Sequence, residues 1–229
     1  MTPEARALSS APDRPAQVKI CGITQVEDAR AAIAAGAAML GVNFYPASPR
    51  CIDVERARKI AEAVVGRVKL VGVFVNASVE DILHTARAVP LDVVQLHGDE
   101  PLEAAQAIAR ELPVIRALKV DADFNAARVA PYAFCAGVLL DTPSAGHGGS
   151  GRSFAWAGVD WTAIRRMLPK TQLFLAGGLK AENVAEALSH VAPDVVDVCS
   201  GVEKEKGVKS VRKMREFVAA VQVAERRER

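Results

Sequence analysis

Short apolar runs alternate with helical patterns along most of this chain. Eight of the runs end in a polar residue or a glycine, at Cys21, Asn43, Asn76, His97, Lys119, Asp141, Gly177 and Ser200. A helical pattern follows each run at a spacing of roughly 20 to 35 residues, which is typical of repeated strand–helix units and a parallel sheet. Because eight such units close into a barrel, the pattern predicts an α/β fold with a single (β/α)8 TIM barrel.

The same patterns predict the elements and the limits of the barrel. The predicted strands cover residues 17–21, 38–43, 68–75, 92–96, 113–118, 136–140, 172–176 and 194–198. The predicted helices cover residues 25–35, 53–65, 78–88, 100–110, 122–129, 159–167, 180–190 and 207–223. Thr24 and Ser78, each with an acidic residue three positions later, are expected to cap the first and third helices. We expect a flexible N-terminal extension over residues 1–16, a catalytic barrel over 17–223 and a charged tail over 224–229.

Composition narrows the class of protein. Half of the 229 residues are apolar, which is enough for a large core. The 29 basic and 27 acidic residues are well mixed, so no broad basic face for nucleic acid is expected. No stretch approaches the ~20 apolar residues that a membrane-spanning helix needs, and a membrane protein is not expected. The four cysteines lack CxxC spacing, which argues against a structural zinc site and favours a reduced, cytoplasmic protein.

Alternation along the strands points to side chains that share one cavity. Residues two apart in a strand face the same side, so one inward face would place Cys21, His97 and Asp141 around the upper mouth of the barrel. Lys19 and Gln95 would then lie one layer below. A lone cysteine is usually a small buried hydrophobe, and a lone aspartate is usually a cap or an ion-pair partner. Here Lys19 favours the thiolate of Cys21, and with Asp141 the mouth would hold a base and an acid for proton transfer.

Two glycine clusters follow the seventh and eighth predicted strands, in the segments AGGL (176–179) and CSGVE (199–203). Glycine lets the backbone approach an anion closely, and the N-terminus of a following helix supplies N–H donors. This pair of loops commonly binds phosphate in barrels. Tight turns without a ligand remain the alternative.

One arginine stands in a stiff loop on the same side of the barrel. The segment PASPR (46–50) follows the second predicted strand, and its two prolines stiffen the loop that presents Arg50. Arginine binds a carboxylate with two parallel hydrogen bonds. We therefore expect Arg50 to bind an acidic group of a ligand, although most arginines are surface cations.

The connection after the sixth predicted strand is unusually long. It reads DTPSAGHGGSGRSFAWAG over residues 141–158 and is rich in glycine, so it cannot form a regular element. Long loops in compact domains are usually functional, and its position favours a mobile lid over the site rather than a merely floppy insertion. His147 has no assigned role, and Trp156 and Trp161 are expected to be packing anchors at the base of the lid.

Together these residues resemble the phosphoribosylanthranilate isomerase family, in order and over nearly the whole chain. The matching segments are KICGIT (19–24), GVNFYPASPR (41–50), VGVFVN (71–76), VVQLHGDE (93–100), LLDT (139–142), GGSG..F.W (148–156), LAGGL..ENV (175–184) and DVCSGVE..KGVKS (197–210). KICG and QLHGDE are fairly specific to the family, whereas AGGL also occurs in many phosphate-binding barrels. One departure is Cys199, where relatives more often have serine; a thiol donates a weaker hydrogen bond.

The resemblance implies a specific reaction on a small phosphorylated substrate. It is the Amadori rearrangement of N-(5-phosphoribosyl)anthranilate to 1-(2-carboxyphenylamino)-1-deoxyribulose 5-phosphate in tryptophan biosynthesis, without metal or other cofactor. By resemblance Cys21 is the general base, Asp141 is the general acid and Arg50 binds the anthranilate carboxylate. The residues that match the phosphate loops are Gly177, Gly178, Asp197, Ser200 and Gly201, and His97 lies in the matching active-site strand. The protein is expected to be a monomer or a homodimer.

Two rival functions stay open at this point. One is a related aminoaldose isomerase of histidine biosynthesis, or an enzyme with both substrates. That chemistry uses two aspartates in related barrels, so Cys21 argues against it. The other is a catalytically inactive barrel that only binds a phosphorylated ligand, against which the joint presence of Cys21, Arg50 and Asp141 argues.

Overall fold

The fold is a closed barrel of eight parallel strands. A computed structural model describes residues 15–141 and 159–227. The strands that form the barrel are β1 (Gln17–Cys21), β2 (Met39–Asn43), β3 (Lys69–Phe74), β4 (Val93–Leu96), β5 (Val114–Lys119), β6 (Gly137–Asp141), β7 (Gln172–Ala176) and β8 (Val195–Val198). They pair in sequence order, and β8 closes on β1. The predicted TIM barrel is therefore confirmed.

Helices pack around the strands on the outside. They are α1 (Val26–Ala35), α2 (Val54–Val64), α3 (Val79–Ala88), α4 (Leu102–Ala109), α5 (Trp161–Met167), α6 (Val184–His190) and α7 (Val211–Arg227), with 3-10 helices at Ala126–Tyr132 and Ser200–Val202. A short antiparallel hairpin, β9 (Glu203–Glu205) and β10 (Val208–Lys209), lies between β8 and α7. None of the helices within the described ranges is long and apolar enough to cross a membrane.

Two apolar cores follow from the alternation of side chains along the strands. The outer core lies between strands and helices and contains, for example, Ile20, Leu40 and Leu140. The inner core fills the barrel and consists of Met39, Val71, Val93, Ile115, Ala117, Leu139, Phe174, Ala176 and Val195. Packed apolar side chains thus close the lower part of the barrel interior, and polar side chains lie at its upper end.

Three local predictions were wrong, each for a physical reason. The segment predicted as an α-helix over 122–129 forms a 3-10 helix four residues later, which contains Pro131 and therefore lacks one amide donor. Thr24 does not cap α1, because its hydroxyl donates instead to the carbonyl of Gly207 at 2.6 Å. The last helix begins at Val211 rather than at residue 207, because residues 203–209 form the hairpin.

Buried residues and the last helix lie close to the predicted limits of the barrel. Ala16 is already buried, although the N-terminal extension was expected to include it. At the other end, α7 continues to Arg227 because apolar residues recur at helical spacing up to Ala224, which is buried. Ser78 caps α3 as predicted, since its hydroxyl accepts from the amide of Asp81 at 3.0 Å.

Candidate active site

A cavity of about 320 Å³ opens at the carboxyl end of the strands. This volume is at the lower end of the range for small-molecule sites. Eight of the nine residues predicted for the site line it, namely Cys21, Arg50, His97, Asp141, Gly177, Gly178, Asp197 and Ser200. The ninth, Gly201, is not part of the lining, but it packs on the wall. A Cβ atom built on it would collide with the carbonyl oxygen of Leu179.

Cys21 is the last residue of β1 and lies above a buried ion pair. Nζ of Lys19 is 2.9 Å from Oδ2 of Asp197, and the Lys19 side chain is fully buried. Burial raises the pKa of Asp197 to about 6, although Lys19 opposes this rise. For Lys19, burial lowers the pKa, but Asp197 and Cys21 outweigh it and leave the pKa raised. The pair is therefore ionised at neutral pH, and the ammonium group stays charged beneath Cys21.

The thiol of Cys21 is acidic in this setting. The pKa of Cys21 is well below its ordinary value, chiefly because of a hydrogen bond with the side chain of Cys199. Burial opposes this effect, and the charges of Lys19 and Lys209 reinforce it. This setting favours the thiolate of Cys21, which is the reactive form of a cysteine base.

Asp197 lines the cavity and also takes part in the buried ion pair. It had been grouped with the phosphate loops, but its carboxylate belongs to the ion pair with Lys19 inside the barrel. It is on β8, one residue before the strand ends, and is buried. In this structure the Asp197 carboxylate supports Lys19, and a role for it in substrate binding stays a prediction.

Arg50 lines the cavity but already has an anionic partner within the chain. Its Nε and NH2 each lie 2.7 Å from a different carboxylate oxygen of Glu203. This pairing raises the pKa of Arg50. Burial raises the pKa of Glu203, but the hydrogen bonds from Arg50 and Lys209 leave it lowered. Within the described residues NH1 of Arg50 has no partner, so one edge of the guanidinium remains for a ligand.

Glu203 and Lys209 were missed by the sequence interpretation. Lys209 is buried and lies in the hairpin strand β10, where its Nζ is 3.0 Å from Oε1 of Glu203. It also donates to the carbonyl oxygen of Cys199 at 3.0 Å. The two residues lie in segments that match the family, but the register of so short a hairpin leaves no clear hydrophobic pattern.

His97 and Gln95 form a short polar chain toward Asp141. The side-chain nitrogen of Gln95 lies 2.7 Å from Nδ1 of His97, so the amide donates to Nδ1 and the ring proton is on Nε2. Nε2 is 3.5 Å from Oδ2 of Asp141, which is a long contact. The Asp141 side chain is 36% exposed, so its carboxyl group can reach a molecule in the cavity. Alternation correctly placed Gln95 one layer below His97, where it is fully buried.

The loops after β7 and β8 have the backbone shape that glycine permits. Gly177 and Gly178 have φ values of 99° and 60°, a region that other residues rarely adopt. The side chain of Asn183 holds the first loop, since it donates to the carbonyl of Gly178 at 3.0 Å and accepts from the amide of Lys180 at 2.9 Å. Ser200 adds a hydroxyl from the second loop to the cavity.

Two predictions about the long connection cannot be placed. The proposed lid over 141–158, with His147 and Trp156, lies outside the described residues except for Asp141. Trp161 begins α5 and packs partly buried against the outer core, as expected of a packing anchor.

Across residues 15–141 and 159–227, no cluster of three or more His, Cys, Asp or Glu side chains is arranged to hold a metal ion.

Comparisons with known proteins agree on one family. The family model for N-(5'-phosphoribosyl)anthranilate isomerase matches residues 18–220. A relative with that name from Pseudomonas paraeruginosa is 48% identical over 207 residues, which are 90% of this chain and 94% of the relative. The crystal structure of phosphoribosyl anthranilate isomerase from Thermotoga maritima has a TM-score of 0.80 at 41% identity, covering 91% of this chain and 99% of that one.

A further solved structure of this enzyme contains reduced 1-(o-carboxyphenylamino)-1-deoxyribulose 5-phosphate. It matches with a TM-score of 0.78 at 39% identity, over 91% of this chain and 99% of that one. Both the sequence and the fold therefore match over almost the full length of the relatives. The chain belongs to the phosphoribosylanthranilate isomerase family.

Proposed function

We propose that this protein catalyses the Amadori rearrangement of N-(5-phosphoribosyl)anthranilate to 1-(2-carboxyphenylamino)-1-deoxyribulose 5-phosphate, a step of tryptophan biosynthesis. The observation that carries the proposal is that Cys21 and Asp141 line the same cavity. The Cys21 thiol has a pKa well below its ordinary value, and Asp141 offers an accessible carboxyl group. An aldose–ketose isomerisation requires these two functions, a base and an acid that act on one substrate.

In the proposed mechanism the acid acts first. Asp141 protonates the ring oxygen of the ribose, and the furanose opens to an iminium ion. The iminium withdraws electrons from the neighbouring carbon, so the proton on C2′ becomes acidic. The thiolate of Cys21 removes this proton, and the enolamine that forms tautomerises to the ketone. These reaction steps consist of proton transfers alone, so we propose that no cofactor takes part.

The two charged ends of the substrate would bind on different walls of the cavity. The free edge of the Arg50 guanidinium is suited to the anthranilate carboxylate, and Glu203 fixes its plane by two hydrogen bonds. The phosphate would bind at the loops after β7 and β8, where Gly177 and Gly178 leave the backbone accessible and Ser200 adds a hydroxyl. The close packing of Gly201 on Leu179 would keep the two loops together.

His97 would position the acid. Its ring is held by Gln95 from below, and the Nε2 proton faces Oδ2 of Asp141. This arrangement favours one orientation of the carboxyl group over the cavity.

We also propose a cytoplasmic location, which the four free cysteines support.

The proposal is tested by turnover of freshly prepared phosphoribosylanthranilate, monitored through the loss of the substrate's fluorescence. The wild type and Asp123→Asn should consume the substrate alike, because Asp123 is an exposed aspartate outside the cavity. Asp141→Asn keeps the shape of the side chain but cannot deliver a proton, so turnover should fall at least ~100-fold. A folded wild type that binds the substrate without consuming it would instead favour an inactive barrel. Turnover of only the corresponding histidine-pathway aminoaldose would favour the other isomerase.

A further inference from the structure

Cys199 lies beside Cys21 in the barrel. Strands β1 and β8 pair in parallel, with Lys19 opposite Asp197 and Ile20 opposite Val198, so the next position along sets Cys21 against Cys199. Neighbouring strands are about 4.8 Å apart, and residues two apart face the same side. The side chains of Lys19 and Asp197, one layer below, meet at 2.9 Å. Both cysteines line the cavity, and the register of the two strands places them side by side at its rim.

The sulfur of Cys199 leans toward the end of β1. A Cβ atom built on Gly22, the residue after Cys21, would lie 3.0 Å from Sγ of Cys199. Gly22 has a φ of 74°, which favours glycine, and because glycine has no Cβ it leaves room for the second sulfur. The thiol of Cys199 is therefore within reach of the thiol of Cys21.

The cations around the two thiols and their carboxylate partners leave enough positive charge to neutralise one thiolate, but not two. Three cations surround the pair, and only two carboxylates are paired with them. Lys19 binds Asp197, while Arg50 and Lys209 share Glu203. Among these five groups one positive charge is left over, which a single thiolate neutralises. From across the mouth, His97 and Asp141 also face the pair at the ends of β4 and β6.

The hydrogen bonds indicate which sulfur keeps the proton. Nζ of Lys209 lies 3.0 Å from the carbonyl oxygen of Cys199 and 3.0 Å from Glu203, but 3.8 Å from Sγ of Cys199. Its charge is thus directed mainly to oxygen atoms. The pKa of Cys199 is raised, first because its thiol is engaged with Cys21 and second because it is buried.

We infer that Cys199 is a positioning residue whose thiol donates a hydrogen bond to Sγ of Cys21, so that Cys21 carries the single negative charge of the pair. The inference rests on the proposed function in one respect, because it explains how the proposed base is ionised. A donor that binds the thiolate must favour it over the thiol. Without this donor the pKa of Cys21 rises, and the thiolate forms only at higher pH.

The direct test is the pH dependence of Cys21 alkylation by iodoacetamide, read peptide by peptide with mass spectrometry. Only the thiolate reacts, so the midpoint of the rate against pH reports the ionisation of Cys21. In Cys199→Ala the midpoint should rise by about one pH unit, and the rate at acidic pH should fall about tenfold. Cys199→Ser should restore most of the reactivity, because a hydroxyl also donates. The acidic limb of kcat/KM should move in the same direction.

A matched control removes another buried thiol. Cys135 precedes β6 at the opposite end of the barrel, and Cys135→Ala should leave the midpoint unchanged. An unchanged midpoint in Cys199→Ala, or wild-type alkylation at Cys199 in place of Cys21, would overturn the inference. The proposed function fails separately, because its failure is a wild type without turnover, whatever the alkylation shows.

Discussion

Replacement of Arg50 by methionine separates the two ends of the proposed substrate. Methionine keeps much of the length of the side chain and removes the guanidinium. Glu203 then loses two hydrogen bonds of 2.7 Å but retains Lys209 at 3.0 Å, so its carboxylate stays paired. The variant should therefore fold and keep the walls of the cavity.

The magnitude follows from the contacts that are lost. A charge-assisted bidentate contact to the anthranilate carboxylate is worth roughly 1.5–3 kcal/mol, which corresponds to a KM raised about 10- to 150-fold. The contact is equally available before and after ring opening, so kcat should fall much less. Stability should fall by only about 1–2 kcal/mol, because the Arg50 side chain is 20% exposed and solvent weakens its pair with Glu203.

Steady-state kinetics with phosphoribosylanthranilate would measure this effect, with inorganic phosphate as a competitive inhibitor. Inhibition by phosphate should hardly change, because we place its site at the loops after β7 and β8. Arg87→Met is the matched control, since Arg87 also binds a carboxylate at 2.7 Å, that of Glu111, but lies on the surface. An unchanged KM together with weaker phosphate inhibition in Arg50→Met would show that the two ends of the substrate are reversed.

Three further changes probe other parts of the site. Gly201→Ala should weaken phosphate inhibition several-fold in a competition assay, because the new Cβ would collide with the backbone carbonyl of Leu179 in the neighbouring loop. Lys19→Met should lower the free energy of unfolding in urea by about 3–5 kcal/mol, and adding Asp197→Asn should recover part of the loss, since the first change leaves a buried carboxylate unpaired. Mild oxidation should join Cys21 to Cys199 in a disulfide, giving a product lighter by two hydrogen atoms whose lost activity returns with dithiothreitol; no cross-link would contradict the placement of the two sulfur atoms side by side.

The fold was predictable because each strand carries its signal within a few residues. Parallel strands buried on both faces are continuous apolar runs, and a glycine or polar residue marks the end of each run. The alternation rule also placed Lys19 and Gln95 correctly beneath the mouth, where both side chains are fully buried. These features depend on local sequence and on the closure of the barrel alone.

The partners within the site were not predictable in the same way. Glu203 and Lys209 reach Arg50 and Cys199 through a hairpin of only five strand residues, which is too short to leave a pattern of its own. Whether Asp197 faced a phosphate or a lysine depended on the register of β8 against β1, which sets it opposite Lys19. Such pairings join residues that are far apart in the chain, and a single sequence does not specify them.

The local errors have a similar origin. Thr24 has the spacing of a helix cap, but its hydroxyl binds a carbonyl 183 positions later in the chain. In the segment after β5, Pro131 favours a tighter 3-10 helix over the α-helix that the apolar spacing predicted. Tertiary contacts and a single proline thus outweighed the local preference.

The most direct test of the account is the rate of Cys21→Ala measured beside its affinity for reduced 1-(2-carboxyphenylamino)-1-deoxyribulose 5-phosphate. If the Cys21 thiolate removes the C2′ proton, kcat should fall at least ~100-fold while the dissociation constant of this analogue stays nearly constant. Cys135→Ala, which removes a buried thiol far from the cavity, should change neither quantity. Near-normal turnover in Cys21→Ala would contradict the central claim that this residue is the base.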